Sequence, residues 1–318
     1  MKRRSLLKSA LAAGVGAAVI PGKTMASSAT GASTGKAGSP KYKISLAEWS
    51  LRDWLRNGKI SNLEFGATAK KEFGIDAVEY VSTFFEGKET DKSYLRELKQ
   101  RTDDEGVRNV LIMVDMWGDE GAIASPDESK RKVAAQNHHK WVDAAKYLGC
   151  HAIRINASGY GNADYQDAKN WFVDGLSRLV EYGKRNDISI TVENHGGHSS
   201  NGRWLADVMS AVDDEHCGTL PDFGNFAVDR EKGIFYDPLV GLSQIMPYAK
   251  GVSAKANQFD AWGNETTMDY PRMMRIVHTA GFEGYIGVEW GGGGYSNMKP
   301  EDGIRATKKL LQEIIADF

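Results

Sequence analysis

A short segment in the middle of the chain, TVENHGGHSS (residues 191–200), carries an acidic and an imidazole side chain straight into a Gly-Gly turn. The preceding run Ile188-Ser189-Ile190 predicts a β-strand, and residues i and i+2 of a strand share one face. Glu193 and His195 therefore enter the same environment, either solvent or a site. Such a pair suits general acid–base chemistry or metal binding. His195 could alternatively be a turn residue that bonds its own backbone.

The elements that must position these residues alternate along the chain from Tyr42 onward. Apolar runs separated by segments with helical spacing predict eight strands, each followed by a helix. The predicted strands are Ile44–Ala47, Ala77–Val81, Asn109–Val114, Ala152–Ile155, Ile188–Glu193, Gly218–Asp222, Gly251–Ala254 and Gly284–Glu289. This order favours an α/β fold, a (β/α)8 TIM barrel that forms a single domain over residues 42–318. An open doubly wound sheet is the alternative, but no glycine-rich nucleotide turn follows the first strand.

Nearly every predicted strand ends in a charged or carboxamide residue, and several of these residues have an aromatic neighbour. The carboxyl ends of the strands of such a barrel meet at one rim, where active sites form. We therefore expect a pocket in which acids and amides hold hydroxyl groups and aromatic rings stack on a sugar. The expected substrate-binding residues are Glu48, Trp49, Glu79, Arg154, Asn156, Asn225 and Trp290.

Some of these side chains have plainer interpretations. Glu48 and Glu79 could be acids at helix starts, and Arg154 could pair with barrel acids instead of holding substrate oxygens. The run from Gly291 to Gly294 could bind phosphate, since barrels often do so after the eighth strand. A flexible glycine-rich loop is the preferred interpretation, because no Ser/Thr–Lys pair follows the run.

Four segments carry a resemblance to a known family: VENHGG, LPDFGNF, VSAKA and YIGVEWGG. They resemble the later strands of the xylose isomerase-like barrels, a family that includes sugar isomerases, ketose epimerases, inosose dehydratases and a metal-dependent DNA-repair endonuclease. In the order of its elements, the chain resembles that family over essentially its whole length after Tyr42. The resemblance implies a barrel that acts on a small carbohydrate.

The resemblance also implies a divalent metal ion, bound by residues of strands five to eight. Glu193, Asp222 and Glu289 match the three acidic ligands of the family. Ser253 stands where the family has its seventh-strand histidine, and Asn225 stands where a second histidine usually follows the sixth-strand acid. We expect Mn, Co, Mg or Zn at this site, with waters or Ser253 completing the coordination.

Electrostatics is consistent with a cation at this place. Three carboxylates that face one cavity raise one another's pKa unless a positive charge lies among them. A hard divalent ion accepts such oxygen ligands, and His195 could add an imidazole. The ammonium of Lys255 is a further candidate for charge balance, since one divalent ion together with Lys255 would neutralise three carboxylates.

The favoured hypothesis is a metal-dependent carbohydrate isomerase or epimerase that abstracts a proton next to a carbonyl and forms an enediolate. Glu193 or Glu289 would be the base, and Lys255 or His195 would return or donate a proton. Expulsion of a β-leaving group from the same site would make the chain a keto-glycoside lyase. A non-catalytic sugar-binding barrel is the alternative from another class, and an endonuclease of the same family is a third.

Composition excludes several other classes of protein. The chain has 318 residues, of which 26% are charged, and a formal net charge of −2, which gives no basic surface for nucleic acid. No stretch after the N-terminus is apolar enough to span a membrane.

Cys150 and Cys217 each precede a predicted strand and are expected to be free, buried thiols. The sequence leaves the oligomeric state open.

The N-terminus resembles an export signal. The basic start MKRR precedes a moderate apolar stretch from Leu6 to Ile20, and the run RRSLLK (residues 3–8) resembles a twin-arginine signal. We expect a signal peptide over residues 1–26, a flexible Ser/Gly/Ala-rich linker over residues 27–41 and a periplasmic location.

Overall fold

The structure is a computed structural model that describes residues 41–318. The predicted signal peptide, residues 1–26, and all but the last residue of the predicted linker, residues 27–41, lie outside the described residues. The strands of the described part are β1 Tyr42–Ala47, β2 Ala77–Val81, β3 Arg108–Met113, β4 Ala152–Ile155, β5 Ser189–Glu193, β6 Cys217–Leu220, β7 Ala227–Asp229, β8 Ile234–Phe235, β9 Val252–Ala256 and β10 Gly284–Trp290.

Eight of the strands described here form one parallel sheet, in the order β6-β5-β4-β3-β2-β1-β10-β9. The sheet closes where its two end strands meet, and a parallel bridge joins Asp222 to Ser253 there. Backbone hydrogen bonds cross this seam from the Phe223 amide to the Ser253 carbonyl at 3.1 Å and from the Ser253 amide to the Pro221 carbonyl at 2.8 Å. The prediction of an α/β fold of the (β/α)8 TIM barrel type is confirmed.

Helices alternate with the strands of this part of the chain. They are α1 Arg52–Arg56, α2 Asn62–Phe73, α3 Lys92–Asp104, α4 Glu128–Leu148, α5 Tyr165–Asn186, α6 Gly202–Val212, α7 Pro238–Ile245, α8 Tyr270–Thr279 and α9 Pro300–Ile315. Ser61 and Glu64 form a capping box at the start of α2. At the end of α4, Gly149 has a φ of +78°, which glycine adopts without strain. Within residues 41–318, no helix is both long and apolar enough to cross a membrane.

The bounds of the barrel strands agree with the predicted ones to within two residues. Strand β6 ends at Leu220 and not at Asp222, because Pro221 has no amide hydrogen with which to continue the ladder. The Asp222 side chain accepts a hydrogen bond from the Gly224 amide at 2.7 Å, which fixes the turn that follows. The hairpin of β7 and β8 was not predicted.

Side chains along each strand alternate between the barrel interior and the surrounding helices. A small apolar cluster lies within the barrel and consists of Ala47, Ala77, Val81, Val110, Leu111, Met113, Ala152 and Leu220. A much larger cluster packs the outer face of the sheet against the helices. Towards the carboxyl ends of the strands, the inward positions become polar, as Arg154, Glu193 and Glu289 illustrate. This change of polarity places the candidate site.

Candidate active site

Three carboxylates from different strands meet at the carboxyl end of the barrel. Glu193 is the last residue of β5, Asp222 follows β6, and Glu289 lies near the end of β10. Each offers one oxygen, and the three oxygens lie within 4.8 Å of one another. All three side chains are buried. The structure therefore brings together the three acids that the sequence singled out.

Two residues of β9 lie against these carboxylates. The Ser253 hydroxyl lies 3.0 Å from Asp222 Oδ2 and 2.9 Å from Glu289 Oε2. The Lys255 ammonium donates to Glu289 Oε1 at 2.6 Å and forms an ion pair with Asp222 Oδ2 at 3.0 Å. Because Ser253 and Lys255 are two residues apart on one strand, both project inwards and both hold the same pair of acids.

Arg154 on β4 is the second buried cation of the site. Its Nε lies 2.8 Å from Glu193 Oε2, and its Nη1 donates to Asp115 Oδ1 at 2.7 Å. Asn156 donates to the same Asp115 oxygen at 2.9 Å, and Asn225 donates to Glu193 Oε1 at 2.9 Å. Arg154 thus pairs with barrel acids, the alternative that the sequence had left open, and the two amides orient carboxylates.

The formal charges of the cluster do not balance. Four carboxylates face two cations, which leaves a net charge of −2. The groups are Asp115, Glu193, Asp222, Glu289, Arg154 and Lys255. A net negative charge in a buried place is costly, because desolvation and mutual repulsion both favour protonated carboxyls or an added cation.

The pKa values follow from this crowding. Burial, together with the charges of Glu289 and Glu193, raises the pKa of Asp222 to about 6 against the attraction of Lys255. Burial also raises the pKa of Glu193 despite the neighbouring Arg154. Glu289 is buried too, but the charge and hydrogen bond of Lys255 outweigh burial and lower its pKa. The acids of the site are therefore electrostatically distinct.

His195 is an exposed residue of the pocket lining, and the centroid of its ring lies 6.1 Å from that of Trp117. Desolvation by the surrounding protein, and then the nearby charges of Arg154 and Lys255, lower the pKa of His195 to about 4. Its imidazole is therefore neutral near neutral pH and can exchange hydrogen bonds with a ligand, but it is not a cationic acid there.

These groups open into a pocket of about 300 Å³, a size that suits a small ligand. Of the charged residues described above, Asp115, Arg154, Glu193, Lys255 and Glu289 line it, and His195 lies among them. Asp222 is buried behind this lining. Residues from the first three strand–helix connections complete the lining and include Trp49, Arg56, Thr83 and Trp117. The pocket thus combines acids, cations and aromatic surface.

The expectation that Glu48 and Glu79 bind substrate is wrong, since both are buried outside the pocket lining. Glu48 accepts a hydrogen bond from the Val81 amide at 2.8 Å and so ties the end of β2 to the first connection. Glu79 points into the barrel interior and accepts a hydrogen bond from the Ser45 hydroxyl at 2.5 Å. Gly287 leaves the space for it, because a Cβ there would lie 2.7 Å from both carboxylate oxygens.

The expectation that Trp290 stacks on a sugar is also wrong. Neighbouring residues of a strand point to opposite faces, so Glu289 projects into the barrel and Trp290 projects towards the helices. The indole is 2% exposed, packs against Gly303 of α9 and lies 6.2 Å from the ring of Phe259. Trp290 is therefore a core residue that supports the strand carrying Glu289.

Several pocket residues received no role from the sequence. Asp115 and Trp117 follow β3 with the same two-residue spacing as Glu193 and His195, a signal that could have identified them. Arg56 ends the short helix α1 and has its guanidinium 5.0 Å from the ring of Trp49. No periodic pattern distinguishes it from other surface arginines.

The donor chemistry of the three carboxylates fits a divalent cation. Hard cations prefer carboxylate oxygens, and the net charge of −2 in the cluster equals the charge of one such ion in magnitude. Glu193 Oε2 is buried and, apart from its ion pair with Arg154, has no hydrogen-bond partner among the described residues. Within residues 41–318, Glu193, Asp222 and Glu289 form a group that could hold a metal ion.

Residues 67–314 match the family described as xylose isomerase-like TIM barrel. The chain belongs to this family. The match runs from within α2 to the last turn of α9 and so includes all three carboxylates. The resemblance inferred from the ends of strands five to eight is confirmed.

Solved structures share the fold of this xylose isomerase-like barrel. A D-tagatose 3-epimerase-like protein is 15% identical with a TM-score of 0.63, and the alignment covers 86% of this chain and 97% of that one. The 3-keto-D-glucoside 4-epimerase YcjR of E. coli is 13% identical with a TM-score of 0.59, covering 86% and 100%. The IOLI protein, solved with a zinc atom, is 14% identical with a TM-score of 0.64, covering 87% and 99%. The TM-scores show a common fold, and at identities this low the likeness extends to the fold alone.

A curated relative matches a shorter part of the sequence. The C-glycoside deglycosidase alpha subunit of Arthrobacter globiformis is 38% identical over 65 residues. These residues are 20% of this chain and 18% of that protein, so the match spans less than a fifth of the relative's length.

Proposed function

We propose that this member of the xylose isomerase-like family is a carbohydrate isomerase or epimerase that abstracts a proton from the carbon next to a sugar carbonyl. The observation that carries the proposal is the meeting of Glu193, Asp222 and Glu289 within 4.8 Å of one another, beside a pocket of about 300 Å³. Proton loss next to a carbonyl is fast only when the charge that develops on oxygen is stabilised, and the cationic side chains of Arg56, Arg154 and Lys255 line this pocket.

Glu193 is the base in this proposal. It lines the pocket, and in the cation-free site burial raises its pKa despite the neighbouring Arg154. Its carboxylate is therefore placed to accept a proton from a ligand in the pocket. Glu289 also lines the pocket, and both acids have their two oxygens in contact with neighbouring side chains. The charge and hydrogen bond of Lys255 lower the pKa of Glu289 despite burial, whereas the pKa of Glu193 is raised. Glu289 therefore serves as a fixed anion and is the weaker candidate for the base.

Lys255 stabilises negative charge in this scheme. Despite its burial, Asp222 and Glu289 raise the pKa of Lys255, so the side chain stays an ammonium and does not return a proton. Its position in the pocket lining lets it face the oxygen on which charge develops. His195, neutral with a pKa of about 4, exchanges hydrogen bonds with a substrate hydroxyl and can relay a proton as a neutral imidazole.

Glu193, Asp222 and Glu289 would hold a divalent cation, and such a cation would supply Lewis-acid polarisation of the carbonyl when bound. The zinc atom reported in the IOLI structure, which has the same fold, supports this assignment. The chain's own part is to present three buried carboxylates together and to hold Lys255 and Arg154 beside them as permanent positive charges.

The route by which the proton returns decides the product. Return to the neighbouring carbon isomerises the sugar, and return to the opposite face of the same carbon epimerises it. The 3-keto-D-glucoside 4-epimerase of the same fold supports a keto-sugar or keto-glycoside as the substrate.

A second candidate is a keto-glycoside lyase, which the 38% identity over 65 residues with a C-glycoside deglycosidase subunit favours. In that reaction Glu193 takes the proton next to the keto group. The bond to the leaving group at the β position then breaks, a carbon–carbon double bond forms, and the leaving group departs with the electron pair and takes up a proton. Both candidates share the first step.

Exchange of carbon-bound hydrogen with solvent tests that shared step. The purified protein, loaded with Mn²⁺, is incubated in D₂O with a 3-keto-glucoside or a free ketose, and proton NMR follows the signal next to the carbonyl. We expect deuterium uptake that falls about 100-fold or more in Glu193→Gln. Glu181→Gln, at an exposed position of α5, is the matched control and should keep the wild-type rate.

The same spectra separate the candidates. A new ketose or epimer supports the isomerase or epimerase, and a released leaving group with an unsaturated keto-sugar supports the lyase. Wild-type protein that binds the sugar but exchanges no hydrogen, with Glu193→Gln behaving alike, would overturn the proposal in favour of a non-catalytic sugar-binding barrel.

We also propose that residues 1–26 direct export to the periplasm, which the run RRSLLK supports. Fractionation of a bacterium that expresses the full chain tests this. The wild type should appear in the periplasm, and Arg3→Lys/Arg4→Lys should stay in the cytoplasm. Equal distribution of the two would contradict the proposal.

A further inference from the structure

The candidate cation site is built from oxygen donors. Glu193, Asp222 and Glu289 form a group of potential ligands that, among the described residues, includes no histidine or cysteine. The side chain that joins two of them is Ser253, which is 1% exposed and has its hydroxyl 3.0 Å from Asp222 Oδ2 and 2.9 Å from Glu289 Oε2. A fourth protein donor at this place would therefore also be an oxygen.

The nitrogen atoms around the site are engaged elsewhere. The Lys255 ammonium is bound to Asp222 and Glu289 and, being protonated, has no lone pair for a metal ion. The Asn225 amide nitrogen donates to Glu193 Oε1 at 2.9 Å. His195 lies beside Trp117 in the pocket lining and is not part of the group of three carboxylates.

The strand register determines where the side chain of residue 253 lies relative to the carboxylates. A backbone bridge joins Ser253 to Asp222 across the seam, and Ser253 pairs with Gly287, two residues before Glu289, on the other side. A side chain at this position therefore lies between two of the three carboxylates, as the two contacts of the hydroxyl show. Serine places there a neutral oxygen that adds no charge.

We propose that Ser253 makes this an oxygen-only site that selects a hard divalent cation, Mg²⁺ or Mn²⁺, and lacks the preference for zinc that an imidazole ligand would give. Carboxylate, hydroxyl and water oxygens suit Mg²⁺ and Mn²⁺, whereas imidazole suits Zn²⁺. The inference rests on the proposed function in that both use a bound cation. It adds the class of the cation and the residue that sets it.

X-ray absorption spectroscopy and calorimetry on the intact protein test this inference. Protein stripped with a chelator is loaded with Mn²⁺ or Zn²⁺ alone, and wild type is compared with Ser253→His and Ser253→Ala. We expect an oxygen-only first shell in the wild type, without imidazole scattering. Ser253→His should show imidazole scattering and raise the ratio of Zn²⁺ affinity to Mn²⁺ affinity by about tenfold or more, while Ser253→Ala leaves the ratio unchanged.

Imidazole scattering from the wild type would overturn the inference, as would an unchanged affinity ratio in a folded Ser253→His. If that variant does not fold, the wild-type spectrum decides alone. Wild-type protein that binds neither ion would also overturn it. Because deuterium exchange with and without Glu193 judges proton abstraction separately, failure of this inference and failure of the proposed function are distinguishable.

Discussion

Lys255 and Glu289 face each other across neighbouring strands, with the ammonium nitrogen 2.6 Å from Glu289 Oε1. The parallel register pairs the two residues on β9 and β10, so both side chains project from the same face of the sheet into the barrel. The ammonium also lies 3.0 Å from Asp222 Oδ2. The barrel thus supplies a positive charge of its own to two of the three carboxylates.

Lys255→Met removes this charge while keeping an apolar side chain of similar length. Without divalent cations, we expect the free energy of unfolding to fall by about 3–5 kcal/mol, because Asp222 and Glu289 become uncompensated buried charges. We also expect the affinity for Mn²⁺ to rise about tenfold or more, since no ammonium repels the ion. Urea unfolding in chelator and calorimetric titration with Mn²⁺ measure the two effects. Lys255→Arg keeps the charge and is the control. A Lys255→Met protein that binds Mn²⁺ no better than wild type would show that the ammonium does not compete with the ion for Asp222 and Glu289.

Arg154 bridges two acids and is 4% exposed, so its loss should be costly. We expect Arg154→Met to lower the free energy of unfolding by about 3–5 kcal/mol, because Asp115 and Glu193 then lack their partner. Adding Asp115→Asn should recover part of that loss, with a coupling energy of about 1–3 kcal/mol. Urea unfolding of the wild type, both single variants and the double variant measures it. Strictly additive effects would contradict a shared ion-pair network.

Glu79 is a buried acid whose titration should make the stability of the fold depend on pH. Burial, with the charges of Glu289 and Glu193, raises its pKa to about 7 despite the hydrogen bond from Ser45. The folded state therefore binds the Glu79 proton more tightly than the unfolded state does. Protonated Glu79 contributes fully to the stability of the fold below the unfolded pKa near 4.5, and this contribution is lost as pH rises through about 7.

The shift of the Glu79 pKa is worth about 3 kcal/mol at 1.4 kcal/mol per pH unit. Glu79→Gln keeps the shape of the side chain and removes the titration, so the gap between its stability and that of the wild type should move in favour of the variant between pH 4.5 and 7. Unfolding titrations across this range, in chelator, measure the gap. A gap that does not change with pH would show that Glu79 titrates normally.

Substitution of Trp290 and substitution of Trp117 should have opposite effects, the first on stability and the second on substrate binding. Trp290 is 2% exposed, and Trp290→Ala should cost about 3–5 kcal/mol of unfolding free energy through the cavity it creates. Trp117 is 57% exposed in the pocket lining, so Trp117→Ala should change stability by about 0.5 kcal/mol or less and raise the KM for a sugar substrate. Thermal unfolding and steady-state kinetics separate the two. An unchanged KM in Trp117→Ala would remove Trp117 from the binding surface.

The barrel could be predicted closely because its signals are local. Apolar runs and glycine caps fixed the strands to within two residues, and Gly149 ends α4 as expected. The early end of β6 comes from Pro221, whose missing amide hydrogen stops the ladder. Convergence of Glu193, Asp222 and Glu289 followed from the topology, since the carboxyl ends of parallel strands meet at one rim.

The rest of the site depends on details that a list of strand ends does not contain. Trp290 adjoins Glu289 in sequence but faces the helices, and Glu79 projects inwards yet lies below the rim. Glu48 turns back to bond the Val81 amide. In each case the direction or depth of one side chain decides its role, and both depend on register and on contacts with other strands.

The seam where the barrel closes passes through the site itself. The backbone bridge between Asp222 and Ser253 joins the segment after β6 to β9, the two end strands of the sheet. The side chains of the same two residues are in contact. A ligand that bound Asp222 and Ser253 together would oppose the separation of β6 from β9, and by thermodynamic linkage a tightly closed seam would favour that ligand in return. Amide hydrogen exchange at Phe223 and Ser253, whose backbone hydrogen bonds cross the seam, should slow when such a ligand binds.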